Sequence, residues 1–224
     1  MNEAKIRKDI RRYLGSNTVL DIVSEEKIDK ILDEINLKYT PRHIYGVYDL
    51  YVKETKISFI GTVLEIKSKD LYKVLKNSEK CIIIACTLGI EIEQRLKQCS
   101  CIDLENAILY DAVSAAYIES YLDDVTLKLS QGYAEKGYHM TMRYSPGYGD
   151  LGLDVQPKII DILQAQKRIG LSSNDDHLLI PRKSITAFIG LQQKPYINLN
   201  NRCDNCLIRN ICELRKGDKN CGTT

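Results

Sequence analysis

A chain of 224 residues is long enough for one substantial hydrophobic core, or for one domain with a small appendage. Its composition, 44% hydrophobic and 28% charged residues, is typical of a folded protein and excludes a largely disordered one. The formal net charge of +2 does not by itself indicate a nucleic-acid-binding protein, whose basic residues would concentrate on one face.

The charged N-terminus and the short apolar runs indicate a protein of the cell interior. The longest apolar run, residues 81–86, is far shorter than the roughly 20 residues that cross a bilayer, which excludes a membrane span. Residues 1–12 are charged and lack the apolar stretch of a secretory signal. We therefore expect a cytoplasmic protein whose eight cysteines are buried thiols or metal ligands rather than disulfides.

The first part of the chain predicts two helices followed by strands. Apolar residues at helical spacing predict a helix over residues 3–14, and Ser24 can cap a second helix with its hydroxyl. Residues 44–66 are rich in Tyr, Val, Ile and Thr with partial alternation, which is typical of strands. A short helix at residues 68–76 then leads to the apolar run 81–86, which has the length of a strand buried on both faces.

The second part of the chain mixes helices with further strands. Helices are predicted from residues 87–89 onward, over residues 103–135, and from Pro157 to Gly170; strands are predicted over residues 139–143, 178–180 and 185–191. Because helices and strands do not alternate regularly, we expect an α+β fold, a mainly antiparallel sheet flanked by helices with a small cysteine-rich C-terminal tail. We divide the chain into an N-terminal helical segment (1–40) packed on the main domain, an α+β domain (41–200) and the tail (201–224).

Residues 143–150 form a loop whose composition suits a zwitterionic ligand. Arg143 can clamp a carboxylate with its planar fork, while Gly147 and Gly149 let backbone groups approach amino or ribose groups. Pro146 fixes a bend in the same loop. A Pro-Gly turn after a strand is also common where no ligand binds, so both interpretations stay open on these residues alone.

The segment Arg143-x-Ser145-Pro146-Gly147-Tyr148 resembles the Arg-x-x-Pro-Gly-Tyr signature with which the activation domain of cobalamin-dependent methionine synthase holds S-adenosylmethionine. Other motifs of the stand-alone members of that family match in the same order, so the resemblance covers residues 44–191. They are Thr87-Leu88-Gly89, Gly147-Tyr148-Gly149-Asp150 leading to Gln156, Arg168-Ile169-Gly170, and Pro181-x-Lys183-Ser184-x-x-Ala187-x-x-Gly190. The resemblance implies the fold and the ligand of that domain.

The resemblance also implies individual site residues. Arg143 would face the methionyl carboxylate of S-adenosylmethionine. A glutamate on the preceding long helix contributes to the same pocket, for which Glu119 is the candidate; the alternative for Glu119 is a solvated carboxylate on the helix face. A tyrosine near the C-terminal end of the domain approaches the ligand, and Tyr196 is its candidate. The loop residues that would line the ligand are Ser145, Pro146, Gly147 and Tyr148.

The same resemblance implies a task in reductive methylation. The activation domain docks over a corrinoid whose cobalt has been oxidised, and it offers the methyl group of S-adenosylmethionine while a flavodoxin or ferredoxin supplies an electron. The chain would position reactants rather than act as acid or base, so no catalytic residue is assigned. The Asp-x-His-x-x-Gly loop that binds cobalamin is incomplete at residues 175–180. The expected partner is therefore a methionine synthase or methyltransferase that carries the cobalamin.

Four cysteines in a polar, basic segment predict a metal site in the tail. They are Cys203, Cys206, Cys212 and Cys221. A Cys-x-x-Cys pair can chelate one metal from a tight turn, and two further thiolates complete a four-sulfur shell that suits zinc or an iron–sulfur cluster. Cys99 and Cys101 are expected to be ordinary thiols at the start of the long helix.

Two other functions stay open on the sequence. The tail could be a zinc knuckle whose basic residues contact nucleic acid phosphates, although Asp204, Glu213 and Asp218 interrupt the positive charge. Alternatively, the domain could keep the fold without the ligand and act only as a scaffold that docks to a corrinoid protein. The Gly-x-Gly-x-x-Gly loop of common methyltransferases is missing, which argues against an ordinary enzyme that methylates a small molecule.

Overall fold

The computed structural model describes residues 2–15 and 21–195 of the chain. Within them, the helices are α1 (Glu3–Leu14), α2 (Ile22–Lys38), α3 (Lys69–Leu75), α4 (Ile90–Ile102), α5 (Leu104–Ala134), α6 (Gln156–Leu163) and α7 (Ala165–Ile169), with a 3₁₀ turn at Leu153–Val155. The strands are β1 (Arg42–Lys53), β2 (Lys56–Phe59), β3 (Glu65–Lys67), β4 (Lys80–Thr87), β5 (His139–Met140), β6 (Ser172–Ser173), β7 (Leu179–Ile180) and β8 (Ser184–Gln192). Among the helices of residues 2–15 and 21–195, none could span a membrane.

Six of the strands form one antiparallel sheet in the order β3-β2-β1-β4-β8-β5. Strand β4 lies near its middle, paired with β1 on one side and β8 on the other, and every residue of β4 after Lys80 is buried. Strands β6 and β7 form a separate two-stranded sheet. The architecture confirms the predicted α+β class with a mainly antiparallel sheet flanked by helices.

The sheet carries a hydrophobic core on each face. Ile82 and Ile84 of β4 pack among residues of α1, α2, α4 and α5, whereas Ile83 and Ala85 pack among residues of α3, α6, α7 and the β2–β3 pair. Burial of each Ile side chain stabilises the fold by about 1.5–3 kcal/mol relative to exposure. Successive residues of β4 therefore hold the two helical layers against one sheet, which explains the unbroken apolar run in its sequence.

The structure corrects two details of the helical layer. Helix α2 begins at Ile22 because the Asp21 carboxylate caps it, accepting a hydrogen bond of 2.7 Å from the backbone N–H of Ser24. Ser24 therefore lies inside the first turn and is not the cap. Cys99 and Cys101 lie in the last turns of α4 rather than at the start of the long helix α5. Cys99 is buried and Cys101 is exposed.

The helix predicted from Pro157 to Gly170 is interrupted at Gln164. This residue adopts a φ of 51° and separates α6 from α7. Its neighbours Leu163 and Ala165 are both buried, and their packing stabilises the left-handed residue between them. The sequence has no Gly or Pro at the break, so the pattern alone could not locate it. Gly170, with a φ of 72°, ends α7, which confirms the predicted C-terminal end of the helical segment.

Candidate ligand-binding site

Arg143 lies in a segment that continues β5 along the edge of β8. The backbone N–H of Thr141 donates to the Gly190 carbonyl at 2.9 Å. Tyr144 and Phe188 exchange two backbone hydrogen bonds of 2.9 and 2.8 Å. These bonds fix the backbone on both sides of Arg143, whose side chain extends to the helical layer formed by α1 and α5.

One nitrogen of the Arg143 guanidinium is held by two carboxylates of α5. Nη2 lies 3.2 Å from Oε2 of Glu119 and 2.8 Å from Oδ1 of Asp123, which is one helical turn further along. The other terminal nitrogen, Nη1, is buried and has no hydrogen-bond partner among the described residues. A buried donor without a partner costs about 1–3 kcal/mol, and an anionic oxygen is its strongest acceptor. Nη1 is therefore the guanidinium nitrogen of Arg143 that could donate to a carboxylate.

Helix α1 contributes further charges to the same place. Lys5 Nζ lies 2.5 Å from Oδ2 of Asp123, and Arg12 Nη2 lies 3.2 Å from Oδ1 of Asp9. Arg12 and Asp9 are also close enough to influence the ionisation of Glu119. The site is thus a cluster of alternating charges between α1, α5 and the edge of β8.

The carboxyl of Glu119 takes up a proton more readily than an exposed glutamate does. Burial raises its pKa; Arg143 and, more weakly, Arg12 oppose this shift, while Asp123 and Asp9 add to it. Burial also raises the pKa of the Cys86 thiol to about 12, with a contribution from Glu119. Cys86 is therefore an unreactive core thiol below the charged cluster.

The loop after Arg143 has a shape that only certain residues can adopt. Pro146 is buried, and Gly147 has a φ of 91°, a conformation that side chains other than glycine rarely adopt. The Gly147 N–H donates to the Leu151 carbonyl at 2.7 Å, which closes the loop. Tyr148 follows with 66% of its surface exposed, and its carbonyl accepts a hydrogen bond of 3.0 Å from the Tyr144 hydroxyl. The loop is therefore a rigid turn that presents an aromatic ring to solvent.

Asp150 anchors the far end of the loop to α3. Its carboxylate accepts hydrogen bonds from the Ser68 hydroxyl and from the backbone N–H groups of Lys69 (2.7 Å) and Asp70 (3.2 Å). Burial acts to raise the pKa of Asp150, but these hydrogen bonds together lower it below its ordinary value. Asp150 thus satisfies the first backbone N–H groups of α3, whose N-cap is Ser68, rather than facing a ligand in this conformation.

Two other motif residues are also structural. Gln156 is buried at the start of α6 and accepts a hydrogen bond of 2.6 Å from the Thr186 hydroxyl of β8. At the end of β4, the Thr87 hydroxyl accepts hydrogen bonds from the Ser184 hydroxyl at 2.7 Å and from the Gly89 N–H at 3.1 Å. Hydrogen bonds between these motifs therefore join β4, β8 and α6. The segment that carries Arg143 runs along the edge of β8 in the same sheet.

The fold has a counterpart among solved structures. The chain is similar to the reactivation domain of MetH, solved with AdoHcy bound, with a TM-score of 0.63 and 14% sequence identity. The match covers 88% of this chain and 79% of that chain. This chain has the methionine synthase reactivation-domain fold. No family model and no curated protein sequence matches it.

Within the reactivation-domain fold, the predicted site residues fall into two groups. Arg143 and Glu119 are brought together in one ion pair, and the 145–148 loop follows Arg143 directly. Tyr196 and the four predicted metal ligands, Cys203, Cys206, Cys212 and Cys221, lie outside the described residues. Inside residues 2–15 and 21–195, no group of three or more His, Cys, Asp or Glu side chains could hold a metal ion.

Sequence reasoning did not identify the contributions of Lys5, Asp9 and Asp123 to the site. Lys5 and Asp123 are 118 positions apart, so no local spacing links them. A signal was present in α5, where Asp123 follows Glu119 by one helical turn and so shares its face. Two surface depressions, of about 520 and 450 Å³, are lined by other residues and do not include Arg143.

Proposed function

We propose that this chain binds S-adenosylmethionine at Arg143 and the 145–148 loop, and so supports reductive methylation of the cobalamin carried by a methionine synthase or related corrinoid methyltransferase. The observation that carries the proposal is the buried, unpartnered Nη1 of Arg143 beside the carboxylate of Glu119. The neighbour of the same fold was solved with AdoHcy, which is S-adenosylmethionine without its transferable methyl group.

The charges of the site match the amino-acid end of that ligand. The ligand carries a carboxylate and an ammonium group on the same carbon, so its site needs one cation and one anion a few ångströms apart. Arg143 and Glu119 provide this pair, with a separation of 3.2 Å between nitrogen and oxygen. Charge-assisted hydrogen bonds of this kind are roughly twice as strong as those between neutral groups. The exposed ring of Tyr148 lies on the adjoining loop, where it can contact the rest of the ligand.

The residues of this chain would bind and orient the ligand rather than transfer protons. Bound S-adenosylmethionine would supply an electrophilic methyl group to a cobalt centre held by the partner, leaving AdoHcy. A flavodoxin or ferredoxin is the proposed source of the single electron that the oxidised cobalt requires. Transfer between two bound partners depends on alignment of the reacting atoms, which a fixed binding site provides. The ion pairs of Arg143 and the rigid 145–148 turn can provide this alignment without a general base.

Calorimetric titration with S-adenosylmethionine and with AdoHcy tests the proposal. We expect wild-type protein to bind both, and Arg143→Ala to lower the affinity at least tenfold, since a charge-assisted hydrogen bond is lost. Arg11→Ala is the matched control, because Arg11 is an exposed arginine that pairs with Glu25. Absence of binding to the wild-type protein would overturn the proposal and favour a docking scaffold without the ligand.

A further inference from the structure

The carboxylate of Asp123 joins two cations from distant parts of the chain. Its Oδ2 lies 2.5 Å from Nζ of Lys5 on α1, and its Oδ1 lies 2.8 Å from Nη2 of Arg143 beside β8. All three side chains are partly buried, with exposed fractions of 35% for Lys5, 30% for Asp123 and 23% for Arg143. Such partial burial reduces the screening that makes most surface ion pairs weak.

The geometry at Arg143 distinguishes the two ends of the guanidinium. Nη2 contacts both Asp123 and Glu119, and the contact with Asp123 is the shorter one by 0.4 Å (3.2 against 2.8 Å). Nη1 has no hydrogen-bond partner within the described part of the chain. Because the guanidinium is planar and rigid, fixing one terminal nitrogen also fixes the direction of the other.

We infer that Asp123 is a positioning residue of the ligand site. Held by Lys5, it fixes Nη2 of Arg143 so that Nη1 is presented to the carboxylate of the ligand, and helix α1 thereby becomes part of the site. The inference rests on the proposed function for the identity of the ligand. It assigns to Asp123 and Lys5 a role that acts through Arg143 and not by contact with the ligand.

Calorimetry with AdoHcy as the probe tests the role in binding. We expect Asp123→Asn to weaken binding about fivefold and Lys5→Met about twofold, because each loosens the fixed guanidinium. The double variant should bind like Asp123→Asn alone, since Lys5 acts through Asp123. Glu105→Gln is the matched control: Glu105 is a carboxylate on the same helix that pairs with Lys27 of α2 at 3.0 Å, and its replacement should leave the affinity unchanged.

A second measurement does not need the ligand. NMR titration of the Glu119 carboxyl in the free protein should show a lower pKa in Asp123→Asn than in wild type, because a neighbouring negative charge is removed and Arg143 pairs with Glu119 alone. Three outcomes would each overturn the inference. They are wild-type affinity in Asp123→Asn, additive losses of affinity in the double variant, and an unchanged pKa of Glu119 in Asp123→Asn. Failure of wild-type protein to bind AdoHcy, with the Glu119 shift observed, would instead overturn the proposed ligand and show only that Asp123, Glu119 and Arg143 form one charged cluster in the free protein.

Discussion

Nη2 of Arg143 lies 3.2 Å from Oε2 of Glu119, although the two residues belong to different layers of the fold and are 24 positions apart in the chain. Arg143 follows the edge strand β5, and Glu119 lies near the middle of α5. Their contact places the arginine of the loop motif against the helix rather than in solvent. The loop, the helix and the sheet edge therefore meet at Arg143.

Arg143→Lys tests whether the shape of the guanidinium matters as well as its charge. Lysine keeps the positive charge but is a single point donor, so it cannot pair with α5 through one nitrogen and present another to the ligand. We expect Arg143→Lys to lose about tenfold in affinity for AdoHcy, close to the loss in Arg143→Ala. The measurement is isothermal calorimetry at low salt. Near-wild-type affinity in Arg143→Lys would show that charge alone is sufficient.

The raised pKa of Glu119 predicts that this residue makes a pH-dependent contribution to the stability of the fold. Its pKa in the folded protein is raised above the ordinary value of 4.5, chiefly by burial and despite Arg143. A carboxyl with a raised folded-state pKa contributes stability that is complete below pH 4.5 and is lost as the pH rises through the folded-state pKa. The difference in Tm between wild type and Glu119→Gln should therefore shift in favour of wild type as the pH falls from 7 to 4.

Comparison with Glu119→Gln is needed because other carboxylates titrate in the same range. Asp150 has a lowered pKa, so its contribution has the opposite sign: it is present above the ordinary pKa of an aspartate and is lost as the pH falls. Subtracting the two Tm curves removes contributions that wild type and variant share. A difference that does not change between pH 7 and pH 4 would contradict the raised pKa of Glu119.

Local chemistry explains which parts of this fold the sequence predicts. The apolar run of β4 and the long, largely apolar segment of α5 are clear signals, because a strand buried on both faces of a sheet and a helix buried around most of its surface both require such residues. The break at Gln164 has no such signal, since its φ of 51° is stabilised by the packing of its buried neighbours. Propensity is a weak guide where tertiary packing decides the conformation.

The residues of the candidate site, like the elements of the fold, could be predicted only in part from the sequence. Arg143 and the 145–148 loop are contiguous, and Glu119 was found through the resemblance to a known domain. Asp123 could be inferred from Glu119 by helical spacing, but the pairing of Lys5 with Asp123 depends on how α1 packs against α5. Long-range pairs of this kind leave no pattern in one sequence.

The cysteine tail predicts a bound metal that two measurements can identify. Protein purified without oxygen should contain stoichiometric zinc, or iron with a broad visible absorption band, and Cys203→Ser or Cys206→Ser should remove it, because thiolates are ligands for both. Cys101→Ser is the control, since Cys101 is an exposed thiol at the end of α4. Metal-free, colourless wild-type protein would contradict the prediction.

The positive φ of Gly147 predicts that the loop after Arg143 requires glycine at this position. Its φ of 91° is unfavourable for alanine, and an added Cβ would lie 3.2 Å from Cδ2 of Leu153. Gly147→Ala should lower the free energy of unfolding by about 1–2 kcal/mol, measured by urea denaturation. It should also weaken AdoHcy binding, because the turn that presents Tyr148 is displaced.

Gly132→Ala provides the matched control for this substitution. Gly132 lies inside α5, and a Cβ added there meets no atom within 4 Å. Alanine should therefore raise the free energy of unfolding by about 0.5–1 kcal/mol, because it favours the helix over the unfolded chain. The two glycine variants are thus expected to change stability in opposite directions. Equal effects at both positions would mean that the φ of Gly147 does not determine the shape of the loop.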